Sequence, residues 1–533
     1  MTPGQETFKE RVESRLVANG AQALEFSNGK TEPCWRFKLD IDGKIWPLSL
    51  KAPGWTLVPL PYVHWDCAER VWGWPHIGDD GSICAFNRDA LDYDPNDIEG
   101  IVNGLIERTA TLLKRYQEFT PENRLIEFAD ELEAYARKIG IRRLTLGQDI
   151  GNSTSVMAAV KAGKKPAILS VHPAPRDHYD LSLQTIKVAN ISIENLPPLT
   201  ETPDDKWWGK LLQGADLQLR TILHDVKAKG VILRVHNRFE GACLMLYWGR
   251  HPRSKLREIY RLEPAFHEYI TRRVGQASIP KHVAVVGVGA IGSRVAEHLA
   301  LSGIKELSLV DPDNMSADNL GRHVLDRTWI GERKAKALSS HLKNRMPGIV
   351  ITADFHTLDE WMNAKRANEI AVLVLATGSP ACERALIQRA WRESWPCRIV
   401  STFVEAGDLG GHAISMQPGQ PGCFECLYTK DEDGRPVLRG ALLMAGQDVV
   451  QEINGCGTFT PYSAMAATRT ALLAVELVLD DEQGYHRWAG AGKQAQHFGL
   501  QPSPAWESLR SGLLPTFLSK EQYQRLDCPC CSV

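Results

Sequence analysis

The sequence predicts a multidomain chain: an α+β domain at the N-terminus, a less regular α/β domain in the middle, and a doubly wound α/β domain at the C-terminus. Three observations carry this. The chain has 533 residues, more than one hydrophobic core accommodates. Residues 1–145 read as a helix, short strands, a long loop and further helices. From residue 281 apolar strands alternate regularly with amphipathic helices, as in a parallel sheet.

Taken in order, residues 2–20 have helical amphipathic spacing, and ALEF, CWRFKLDI, IWPLSL and WTLVPL read as strands separated by turn residues. Beyond Cys84 a loop leads to Pro95 and a helix opened by Asn96 as its capping residue; ENRLIEFADELEAYARKIG predicts another. Residues 146–270 mix strand-like runs with Pro-rich and charged stretches and read as a linker domain. Its His172, His178 and His224 form no metal-ligand pattern and are taken as structural. Residues 271–533 begin with the strand HVAVVGVG, followed by the helix AIGSRVAEHLALSG and the strand ELSLVDPD.

Composition narrows the function. Apolar residues make up 43% and charged residues 24%, and the formal net charge is -2. That balance gives no reason to expect nucleic acid or an acidic membrane as partner. No apolar run is long enough to span a bilayer, and the N-terminus lacks a signal-peptide core, so a cytoplasmic protein is expected. Twelve cysteines then read as metal ligands, nucleophiles and small core residues rather than disulfides.

Gly287-Val-Gly289-Ala-Ile-Gly292 follows a strand and opens a helix, and Asp311 ends the next strand. Such glycines let backbone approach phosphate at a helix N-terminus, and the acid can hold ribose hydroxyls. Alone, this fingerprint marks nicotinamide and flavin enzymes most often. Asp313, Asn319, Arg322 and Lys334 follow. Two cations and a second acid suit attack of a carboxylate on the α-phosphate of ATP, with Asp313 a candidate Mg2+ ligand. This stretch resembles the ThiF/MoeB/ubiquitin-activating family over about 271–533. The resemblance implies ATP-dependent adenylation of a protein's C-terminal carboxylate, with Asp311 on ribose and Asn319, Arg322 and Lys334 on phosphate. The family's aspartate after the fourth strand is Gly378 here, which puts metal coordination in question.

Two C-x-x-C knuckles, Cys423/Cys426 and Cys528/Cys531, offer four thiolates for a structural Zn2+, with Cys530 a substitute ligand. They resemble the zinc staple of the same family. Cys456, between glycines and ahead of a helix, is a candidate nucleophile; its loop resembles the crossover loop of ubiquitin-activating enzymes.

Trp74-Pro75-His76 followed by Gly81-Ser82-Ile83-Cys84 resembles the active-site segment of ubiquitin-conjugating enzymes, which carry His-Pro-Asn at the same distance from Gly-x-Ile-Cys. Tyr93-Asp94-Pro95 stands where that family often has Trp-Ser-Pro. The resemblance covers about 1–140 and implies a thioester on Cys84. Trp74 and His76 depart from the family; a histidine there can still donate to an oxyanion. Cys34, Cys67, Cys243, Cys382 and Cys397 are taken as structural.

The order conjugating-like domain (1–145), linker (146–270), activating-like domain (271–533) resembles the bacterial conjugating–activating fusions of CBASS anti-phage operons. That resemblance implies a relay from Cys456 to Cys84, a cGAS-like nucleotidyltransferase C-terminus as the carried group, an acceptor lysine, and a homodimer through the adenylating domain. Two other readings stay open: a sulfur-carrier-type adenylyltransferase, and a nucleotide-binding scaffold.

Overall fold

The structure is a computed structural model. It describes the chain except residues 30–31, 67–71, 79, 87–91, 139, 142, 147–149, 151–154, 162–169, 172–180, 200–202, 218–219, 222–229, 237–242, 251–256, 448, 450, 455–456 and 533. His172, His178, His224, Cys67 and Cys456 therefore lie outside the described residues. The chain divides into two compact units, Met1–Glu263 and Pro264–Val533.

In the first unit, helix α1 (Pro3–Ala18) opens with a reciprocal cap between Thr2 and Gln5. Strands β1 (Gln22–Asn28), β2 (Pro33–Ile41), β3 (Lys44–Lys51), β4 (Tyr62–Trp65) and β5 (Ser82–Ile83) then form an antiparallel meander in chain order. Strand β2 shows why: Trp35, Phe37, Leu39 and Ile41 are buried while Arg36, Lys38 and Asp40 face water. Helix α2 (Ile98–Glu118) lays Val102, Leu105, Ile106 and Leu113 onto the core shared with Leu16 and Trp35. Its cap is Asp97, whose carboxylate accepts the Gly100 N–H at 2.8 Å. The sequence pointed to Asn96, which instead donates its own N–H to Asp94.

Helix α3 (Pro121–Lys138) belongs to a second core of the same unit. Its Phe128 and Leu132 pack with Trp207 and Leu211 of helix α4 (Asp205–Gly214) and with Val231 and Leu233. That core lies on a seven-stranded sheet of β6 (Arg143–Leu146), β7 (Ser155–Lys161), β8 (Ser170–Val171), β9 (Leu181–Ile191), β10 (Gly230–His236), β11 (Cys243–Arg250) and β12 (Arg257–Pro264).

The second unit begins with α5 (His267–Arg273) and continues as strand, helix, strand: β13 (Ile279–Val286), α6 (Gly292–Leu301), β14 (Ile304–Val310). After α7 (Lys334–Arg345) come β15 (Val350–Asp354), β16 (Val372–Leu375), α8 (Pro380–Arg392), β17 (Arg398–Glu405) and β18 (Gly410–Met416). Two small hairpins follow, β19 (Tyr428–Lys430) with β20 (Pro436–Leu438), and β21 (Gln451–Asn454) with β22 (Gly457–Phe459). Helix α9 (Ala464–Leu479), β23 (Gly484–Ala489) and β24 (Phe517–Ser519) complete the unit. Its main sheet has the order β15-β14-β13-β16-β17-β18-β23-β24. The first five strands are parallel and the last three antiparallel. Central strands covered by helices on both faces must be apolar throughout: Val283 to Val286 and Val372 to Leu375 are all buried. The antiparallel half does not follow from the strand–helix alternation: β17 turns directly into β18, and the β18-to-β23 connection holds two small hairpins besides α9.

Candidate functional site

Strand order sets the first site. From β13 the chain steps outward to β14 and β15, then returns to the other side of β13 as β16. The carboxyl ends of β13 and β16 thus flank a topological switch point, where open α/β sheets bind ligands. The glycine loop lies there. Gly287 has φ +82, and a Cβ on it would sit 2.6 Å from the Ala376 carbonyl oxygen and 2.7 Å from Thr377 Cα. A Cβ on Gly292 would meet the Gly287 oxygen at 1.9 Å. Gly289 has open space around it, so backbone is exposed to an incoming group at the start of α6.

Asp311 ends β14 and is buried. It accepts the Val288 N–H at 2.8 Å and the Asp313 N–H at 2.9 Å. Burial pushes its carboxyl above the usual range, against the pull of those donors and Lys334. Lys334, first residue of α7, places Nζ 2.8 Å from Asp313 Oδ2 and donates its backbone N–H to the Asp313 carbonyl. Asn319 Oδ1 accepts the Ser316 N–H at 3.0 Å, which shapes the loop that carries Arg322. Arg322 donates through Nη1 to the Thr460 carbonyl at 3.2 Å and stacks over Tyr462 at 4.3 Å. Arg294 of α6 ties the same loop down by donating to the Arg322 carbonyl at 3.2 Å.

Gly378, where an acid was expected, adopts φ +70 in open space. A carboxylate that bonds the neighbouring Thr377 is Glu383 of α8, which sequence reasoning missed. It accepts from Thr377 N and Oγ1 at 3.1 and 2.7 Å and from Ser401 Oγ at 2.6 Å. Burial raises its pKa, and its three donors tie the turn after β16 to α8 and β17. Glu383 is satisfied by protein and is not aimed at a ligand.

The four cysteines of the two knuckles come together in the core on the α8 side of the sheet. Their sulfurs all lie within 4.8 Å of one another. Cys423 and Cys528 are 3.5 Å apart, as are Cys426 and Cys531. A disulfide needs about 2.05 Å, whereas four sulfurs at about 2.3 Å from a tetrahedral ion are separated by about 3.8 Å. The donor set therefore fits a thiophilic tetrahedral metal. Burial holds the Cys528 thiol up at about 11, and the neighbouring thiols with burial raise Cys423 and Cys426 as well; these three favour neutral forms until a cation compensates. Glu425, inside the first knuckle, takes a bidentate pair from Arg384 of α8 at 2.6 Å on both oxygens.

Cys84 lies in the first unit and is exposed. Its N–H donates to the His76 carbonyl at 2.8 Å, and the turn between them closes through Gly78 N–H to the Ser82 carbonyl at 2.8 Å. His76 has φ +57, a left-handed conformation uncommon for histidine. Helix α3 supports it. Glu131 accepts from the His76 backbone N–H at 2.6 Å and faces Nδ1 at 2.5 Å, while Glu127 faces Nε2 at 3.4 Å. These carboxylates, Glu131 foremost, raise the His76 pKa. Arg115 balances Glu127 at 2.5 Å, and Tyr116 donates to the Pro75 carbonyl. Trp74 makes edge-to-face contacts with Trp65 and Tyr116, with Arg124 over its face. Nothing in the spacing around Cys84 announced Glu127 and Glu131, because they lie some fifty residues downstream on a helix whose apolar face serves another core. Cys34 and Cys397 are buried and Cys382 is exposed.

Residues 270–501 match the model of the ThiF family. The glycine loop at the switch point of a doubly wound sheet is thus part of a ThiF-family domain, an adenylating domain of the ubiquitin-activating type. Over 459 residues the chain is 22% identical to the ATP-dependent ubiquitin transferase-like protein Cap2 of Pseudomonas aeruginosa, spanning 77% of this chain and 80% of that protein. The Cap2 protein of Enterobacter hormaechei matches over 67 residues at 39% identity, 13% of this chain and 11% of that one. The NEDD8-activating enzyme E1 catalytic subunit of Arabidopsis thaliana matches over 154 residues at 27% identity, 27% of this chain and 34% of that one. Among solved structures, E. coli MccB with ATP is similar over 48% of this chain and 67% of that one, at 14% identity and a TM-score of 0.31; that likeness is too remote to bear on any residue. Among the described residues no helix is long and apolar enough to cross a membrane.

Proposed function

We propose that the chain activates the C-terminal carboxylate of a partner protein with ATP and passes it, through two thioesters, to an amine. What carries this reading is one observation: a ThiF-type glycine loop with Asp311, Lys334 and Arg322 gathered around it, on the same chain as an exposed cysteine in a tight turn. The functional segments are 1–145, 146–270 and 271–533. The partner carboxylate attacks the α-phosphate and pyrophosphate leaves. Asp311 holds ribose, the Gly287–Gly292 backbone and Asn319 hold phosphate oxygens, and Arg322 and Lys334 neutralise charge as it gathers. Magnesium, which Asp313 would help to hold, supplies further neutralisation of the phosphates. Lys334 then exchanges its contact with Asp313 for phosphate. Zinc on Cys423, Cys426, Cys528 and Cys531 is structural and takes no part in the chemistry.

The Cys456 thiolate displaces AMP from the acyl-adenylate. Cys84 takes the acyl group by attack on that thioester, and the Cys456 thiol is released. A lysine amine attacks the Cys84 thioester, forming an isopeptide bond and freeing Cys84. Placing both thiols on one chain raises their mutual effective concentration. The carried protein is a cGAS-like nucleotidyltransferase, as the resemblance to the conjugating–activating fusions implies, and the chain pairs as a homodimer through the adenylating unit. The test is pyrophosphate exchange with the partner, followed by non-reducing gels. Exchange without any thioester at Cys84 would favour a sulfur-carrier-type adenylyltransferase instead.

A further inference from the structure

One residue of the glycine loop, Val288, is gripped through both of its backbone polar groups. The Val288 N–H donates to Asp311 at 2.8 Å, and the Val288 carbonyl lies 2.8 Å from Nε2 of His323. The other ring nitrogen of His323, Nδ1, accepts the Leu325 N–H at 3.1 Å. An atom that accepts an amide N–H carries no proton, so Nε2 bears it and donates to Val288. The ring is buried, at 6% exposure. Burial lowers its pKa to about 4, and the nearby cations Lys334 and Arg294 push the same way. Burial thus favours the neutral imidazole, and the Leu325 N–H on Nδ1 fixes its tautomer.

His323 sits directly after Arg322, on the loop that Arg294 ties to α6. It is a strut between two sets of phosphate-facing groups: the backbone N–H groups after Val288, and the side chains of Asn319 and Arg322. Without its partner the Val288 carbonyl would be a buried, unpaired acceptor, and rotating that peptide to find another would swing the N–H groups that follow it. We propose that His323 is a positioning residue of the triphosphate site, fixing the aim of the glycine loop and its register with Arg322. It touches no substrate atom. This rests on the adenylation reading above and extends it to a residue outside the phosphate-contacting set.

The experiment is equilibrium binding of Mg-ATP and of adenosine to the full chain and its variants, with thermal unfolding as a fold check. Adenosine lacks the groups the glycine loop holds. His323→Asn keeps an acceptor near the Nδ1 position but does not reach Val288; His323→Gln reaches Val288 with its amide. His323→Asn should weaken ATP by about 10- to 100-fold, the scale on which misplacement by an ångström acts, and leave adenosine unchanged. His323→Gln should restore most of the ATP affinity. Equal ATP affinity in the Asn and Gln variants, or equal losses for ATP and adenosine, overturns the proposal. A wild-type chain that binds adenosine but gains nothing from the triphosphate overturns the adenylation reading and this proposal with it.

Discussion

Lys334 and Asp313 face each other at 2.8 Å, yet only the lysine is buried, while Asp313 is 66% exposed. Removing the lysine therefore leaves the acid solvated, and the cost to folding is small. Lys334→Ala should leave the unfolding midpoint nearly unchanged while reducing partner-dependent pyrophosphate exchange. Loss of one such phosphate cation typically costs about 2–4 kcal/mol, roughly 10²–10³ in rate. Arg322→Ala should do the same, and undiminished exchange in either variant would mean that phosphate binds elsewhere. His76 provides a second prediction at this scale. Its folded pKa is raised by Glu131 and Glu127. The stability it lends is complete below the unfolded value of about 6.5 and is lost as pH rises through the folded value. Denaturant midpoints taken across that window should fall for the wild type and stay flatter for Glu131→Gln; parallel curves would exclude the pairing.

Elements differ in how far the sequence disclosed them. The strand–helix rhythm of β13 to β16, the amphipathic α2 and the alternation of β2 follow from periodicity, since each buries one face or both. Gly287, Gly292 and Asp311 were legible because a phosphate loop needs glycine where Cβ would strike backbone. Positions that act through tertiary contact were not: Glu383, His323, and the α3 carboxylates under His76 have no local pattern, and each has a partner on another element, Ser401, Val288 and His76. The paired knuckles are the clearest element-scale case. Cys423–Cys426 and Cys528–Cys531 meet although separated by 105 residues. Metal analysis of the purified chain should find about one zinc per chain. Cys528→Ala should lose it and destabilise the second unit by about 2–5 kcal/mol, comparable to removal of a cross-link. A folded, metal-free wild type would refute the assignment.

At the scale of the whole molecule the reading depends on the order of two thiols. With ATP and the partner, Cys84→Ala should still show a reducible adduct, now on Cys456. Cys456→Ala should show none, and neither variant should yield isopeptide product. Rapid loading of Cys84 in the Cys456→Ala chain would mean direct transfer from the adenylate. The cysteine cluster has a topological consequence here. With metal bound, the backbone from Cys423 to Cys531 is a closed ring, and α9 with both small hairpins lies on its circumference. A protease that nicks this ring once makes two fragments on a denaturing gel. In native buffer they remain a single particle, joined by the metal clasp as well as by the packing of α9 and β23 on the sheet, and a chelator removes the first of these ties.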